Sequence, residues 1–143
     1  MILSAQQLFS DDQAITATAV STNVIDLGVP GTPFGAVAPL NQDIGKGNKV
    51  PVLVQVTEDF NNMTSVSIAI ETGATTALGT AIVNETVLLA DAVAGKQFVV
   101  EVLPNQLTER YLGVRYTVVG TAPSTGKMTA GITMGNQTNV TGA

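Results

Sequence analysis

An all-β sandwich is the fold class this sequence predicts, and three observations predict it. Apolar and polar residues alternate with period two over several stretches, the pattern of a strand with one buried face. The apolar side chains are mostly Val, Ala, Leu and Ile, with Thr supplying much of the polar face, a mixture that favours strands over helices. Fourteen glycines and six prolines punctuate the chain too often for long helices.

Taken in order, residues 1–12 hold two small apolar clusters, Met1-Ile2-Leu3 and Leu8-Phe9, around SAQQ. They read as an N-terminal arm, packed either on its own sandwich or on a neighbouring subunit. The remaining residues, 13–143, read as one domain. Gln13 to Leu27 predicts one long strand or two short ones meeting at Ser21-Thr22-Asn23, where a bulge lets the strand cross between sheets. Gly28 to Asn48 is irregular, rich in Pro and Gly, with Val29, Phe34, Val37 and Leu40 spaced through it. Apolar anchors at that spacing predict an ordered excursion across the sandwich or onto a partner. The segment around Asp43 offers one carboxylate where a calcium loop needs several, so it reads as a turn.

Val50 to Thr57 alternates cleanly, and Pro51 restricts that end to an edge or a strand entrance. Residues 58–62 form a turn. In Ser65 to Thr72, Val66, Ile68 and Ile70 face in, while Ser65, Ala69 and Glu71 face out. Ala81 to Leu89 and Gln97 to Leu103 predict two more strands. Asp91 to Ala94 suits one helical turn stopped by Gly95. Finally, Tyr111–Val119 and Met128–Met134 alternate on either side of the turn-prone 120–126, which predicts an antiparallel hairpin closing the sandwich. Its core side carries Leu112, Val114, Tyr116 and Val118, then Met128, Ala130, Ile132 and Met134. Tyr111 points the other way, as an anchor or interface residue. The total is about eight antiparallel strands in a sandwich or barrel.

Composition bounds the function. A chain of 143 residues buries roughly two-thirds of its unfolded surface without staples. Net charge is −5 and the six basic residues are scattered, which weighs against nucleic acid as a partner. No apolar run reaches the roughly 20 residues of a membrane span, and the N-terminus lacks the pattern of a signal peptide. These features point to synthesis in a host cytoplasm.

Histidine and cysteine are absent, which removes the usual triads and the zinc and blue-copper ligand sets. The carboxylate neighbours Asp11-Asp12 and Glu58-Asp59 suit turn caps and solvated charges better than a glycosidase pair. No enzyme, cofactor or metal is expected. Carbohydrate binding, as in an adhesin-type sandwich, is a fairer rival, but there is no Trp and few aromatic rings are free. Low charge and apolar loops suit a surface that another protein partly covers.

Two segments are more specific than any strand pattern. MILSAQQLFSDDQAITATAVSTNVIDLG and RYLGVRYTVVGTAPSTGKMTAGI resemble the capsid cement (decoration) proteins of short-tailed bacteriophages, in particular the Bordetella podophage type. The resemblance implies a jelly-roll sandwich that dimerises at two-fold and quasi-two-fold positions on the outer capsid surface of the virion. There it bridges subunits of the major capsid protein. With that role, the apolar residues outside the alternating strands become the expected contacts: Ile2, Leu3, Leu8 and Phe9 of the arm, Val29, Phe34, Val37 and Leu40 of the loop, and Tyr111.

Overall fold

The computed structural model describes residues 3–38, 47–102 and 106–134. Among these residues, nine strands form two antiparallel sheets. They are β1 (Leu8–Ala14), β2 (Ala19–Val20), β3 (Ile25–Asp26), β4 (Val50–Glu58), β5 (Met63–Gly73), β6 (Thr80–Leu88), β7 (Gln97–Val102), β8 (Tyr111–Gly120) and β9 (Lys127–Ile132). One sheet runs β1-β9-β4-β7. The other runs β2-β8-β5-β6, with β3 also on β8. With β2 and β3 counted as one interrupted strand, this is the strand order of a jelly roll.

Only the β5–β6 connection stays within a sheet; every other link crosses the sandwich. The expected β8–β9 hairpin is therefore corrected. β8 pairs with β5, from Met63↔Gly120 to Gly73↔Tyr111. β9 lies in the opposite sheet between β1 and β4. Period-two alternation marks which face of a strand is buried, and both members of a facing pair bury one face equally well. The pattern carries no record of which sheet a strand joins.

The core is filled from both sheets: Val52, Val54 and Val56 of β4, Val66, Ile68 and Ile70 of β5, Leu112, Val114 and Tyr116 of β8, and Met128 and Ala130 of β9. Tyr116 brings its hydroxyl within 2.9 Å of Ser10 Oγ on β1 of the other sheet, so the one polar tip in this layer is satisfied. Burial pushes the Tyr116 phenol up to about 12.

Other expectations are refined. β4 is an internal strand, with Pro51 at its entrance, where Thr133 N–H donates to the Pro51 carbonyl as β9 runs out. Ser65, Ala69 and Glu71 do face outward but are buried. All three lie on the central strand β5, and Ser65 and Ala69 are shaded by longer neighbours on β6 and β8. Arg115 covers Glu71, donating to its carboxylate at 2.8 Å and to the Ala77 carbonyl at 2.7 Å. The single helical turn falls at Leu89–Asp91, two residues before the expected place, with Gly95 (φ 88°) ending the link. On the edge strand β6, Glu85 pairs with Ile68 and so sits on the core-facing side, an inward charge that discourages edge-to-edge pairing.

The arm is corrected most. Its residues 8–12 belong to β1, so the boundary at residue 12 falls inside a strand. Phe9 is fully buried in the core. Ala5–Gln7 forms a short 3₁₀ turn. Gly131 makes room for this passage: a Cβ there would lie 3.1 Å from Leu8 Cδ2 and 3.4 Å from Leu3 Cδ2. Leu3 and Leu8 thus lie against the outer face of their own sheet, beside Leu53, which is only 2% exposed although it points away from the core.

Candidate functional site

The strand order sorts the loops into two groups. Links 15–18, 59–62, 89–96 and 121–126 gather at one end of the sandwich, and residues 27–38, 47–49, 74–79 and 106–110 lie on the links at the other. The second end holds the candidate site.

Its central part is the segment that follows β3. Asp26 ends that strand opposite Tyr111. Its carboxylate accepts two bonds from Arg110, from Nε at 2.7 Å and from Nη2 at 2.6 Å. It also accepts the Gly28 N–H at 2.8 Å. Gly28 turns with φ 91°, a conformation that glycine adopts without a Cβ penalty. Leu27 N–H donates to the Arg110 carbonyl at 2.9 Å. The Arg110 side-chain bonds and the Gly28 N–H hold the Asp26 carboxyl down to about 2. The Arg110 guanidinium also lies 5.0 Å from the Tyr111 ring centroid, a cation–π contact. Beyond this clamp the chain runs out into solvent. Val29 is 66% exposed, and Phe34 and Val37 are fully exposed.

The predicted contact residues therefore divide. Val29, Phe34 and Val37 stand together on the exposed segment. Tyr111 is half-buried at its base, engaged by Arg110. Leu3 and Leu8 are half-buried at the same end, against Gly131. Phe9 is in the core and drops out as a contact. Ile2, Leu40 and the turn around Asp43 lie outside the described residues.

Sequence reasoning missed two features. Met134, expected on the core face, lies past the end of β9 and is fully exposed at this same end. The Asp26–Arg110 clamp joins residues 84 positions apart, a pairing no local pattern announces. As for chemistry, no three acidic side chains converge to hold a metal ion among the described residues. Nor is any described helix long and apolar enough to cross a membrane.

Fold and site together define a jelly-roll β-sandwich that presents a braced apolar segment at one end. The chain belongs to the Bbp16 family, whose model matches residues 9–133 of 143. The family is named like a Bordetella phage protein, a name consistent with a phage-related family. None of the curated proteins matches the chain.

Proposed function

We propose that this protein is a bacteriophage head cement (decoration) protein. It binds the outer surface of the assembled capsid, bridges subunits of the major capsid protein as a homodimer at two-fold and quasi-two-fold positions, and carries out no catalysis. The phage-related family and the jelly-roll sandwich support this reading. The observation that carries it is the exposure of three large apolar side chains, Phe34 and Val37 on the segment after the clamped loop base and Met134 past the end of β9. Side chains of that kind left open to water mark a surface that a partner covers.

Cementing is then a linkage effect. A clamp that binds the assembled shell but not its free subunits stabilises the shell by mass action. Repetition over many symmetric positions turns a modest contact into resistance to pressure from packaged DNA.

The test is co-sedimentation with heads stripped of this protein. Wild-type chain should pellet with the heads and run as a dimer in light scattering. The double variant Phe34→Ser/Val37→Ser should bind about tenfold more weakly or worse. Heads that never carry the wild-type chain would sink the proposal. The exposed Phe34 ring also suits a carbohydrate-binding module, and saturable binding on a glycan array with no binding to heads would favour that reading.

A further inference from the structure

A second surface lies along the seam between β1 and the residues joining β2 to β3. A groove of about 370 Å³ runs there, lined by Ala5, Leu8, Phe9, Ser10, Asp11, Thr22 and Asn23. Its chemistry is one-sided. The hydroxyls of the lining and one N–H of the Asn23 amide are already engaged. Asn23 Nδ2 donates to the Leu8 carbonyl at 2.6 Å, Thr22 Oγ1 to the Phe9 carbonyl at 3.4 Å, and Ser10 Oγ to Gln13 Oε1 at 2.7 Å. Beyond the second N–H of Asn23, what remains is acceptor. The Asp11 carboxylate and Asn23 Oδ1 have no partner among the described residues.

The two neighbouring aspartates are treated differently. The β1–β9 register shifts between Ser10 and Gln13, so Asp11 and Asp12 form a bulge, with Asp12 at φ 46°. Bulges re-aim side chains. Asp12 turns to its own sheet, accepting from Thr57 Oγ1 at 2.6 Å and lying 3.2 Å from Lys127 Nζ. Asp11 lines the groove instead. No cation of this chain's described residues is left to meet it. Lys49 pairs with Glu101, Lys96 with Asp91, Arg110 with Asp26, Arg115 with Glu71, and Lys127 with Asp12 and Glu58.

We infer that this groove receives an arginine side chain from a partner protein. The aliphatic stem lies on Ala5 and Leu8, and the guanidinium donates to the Asp11 carboxylate and to Asn23 Oδ1. A guanidinium fits better than an ammonium, because its planar fork serves two acceptors at once and is more weakly hydrated. The inference stands on the groove alone and does not depend on the capsid reading.

The experiment is a ¹H–¹⁵N titration of the full chain with N-acetyl-arginine amide and, in parallel, with its neutral isostere N-acetyl-citrulline amide. Arginine amide should give saturable shifts confined to the amides of Ala5, Leu8, Asp11, Thr22 and Asn23. Citrulline amide, which keeps the N–H donors but lacks the charge, should bind about fivefold more weakly. Asp11→Asn should weaken binding about fivefold, the size expected of an exposed ion pair. Asp12→Asn, which leaves the groove intact, should bind like wild type. Both substitutions are at exposed positions, so an otherwise unchanged spectrum verifies the fold in each. Equal affinity for citrulline amide, unchanged affinity in Asp11→Asn, or no saturable shift in this region would overturn the inference.

Discussion

At one end of the sandwich, side chains and backbones from four loops are tied to one another. Asn61 donates to Ser124 Oγ and accepts from the backbone N–H groups of Ser124 and Thr125. Asp59 caps the Ala94 N–H at 2.6 Å, and Phe60 N–H donates to the Ala92 carbonyl. Ile15 N–H donates to the Gly126 carbonyl, and the Phe60 ring packs where a Gly126 side chain would be. At the opposite end, the segment after β3 is held at its base by Asp26 and Arg110, and its outer residues are exposed. One end ties its loops into a closed net over the core; at the other, Leu107 is buried in the core, but the outer residues after β3 have no such duty. Residues released from holding the fold together are the ones available to hold something else, which is why loops on a rigid scaffold carry function.

The largest expected effect tests the closed end. Gly126→Val places a branched side chain where the Phe60 ring atoms lie 2.4–2.6 Å from the Cβ position, at φ 131°. Strain and overpacking together should cost about 3–4 kcal/mol, read as a lower urea midpoint. Asn61→Ala removes its three hydrogen bonds between neighbouring loops and should cost about 1–3 kcal/mol in the same assay.

The open end should respond to acid at its clamp. Asp26 titrates lower in the folded chain, about 2 against an ordinary 3.8, so its contribution is complete above the ordinary value and is lost as pH falls through about 2. NMR titration of the Asp26 carboxyl should show this depressed midpoint. In Arg110→Gln it should return toward the ordinary range. The smallest effect belongs to Phe34→Ser/Val37→Ser, whose stability should stay within about 0.5 kcal/mol of wild type even as head binding falls. A loss as large as that of Gly126→Val would mean that the exposed segment belongs to the fold, and the contrast between the ends would collapse.

Much of the scaffold was legible because burial is periodic. The core faces of β5 and β8 were read from alternation alone, since a strand with one dry face must repeat every second residue. The exposed loop was legible too, because Phe34 and Val37 sit where no strand period accounts for them. Phe9 was misread for the same reason in reverse. Its short apolar cluster, followed by Ser-Asp-Asp, shows no period, yet a bulged edge strand still carries it into the core. Met134 was misread because alternation continues past the point where β9 loses its neighbours.

By itself the sequence determined that strands form, where most of them lie and which faces they bury, because those properties follow from residues close together in the chain. Only the tertiary structure decided that β8 and β9 separate into different sheets, that Arg110 reaches Asp26, and that Asp12 turns to Thr57 and Lys127 while Asp11 lines a groove. Each of those outcomes depends on groups many residues apart, brought together by closure of two sheets on one core.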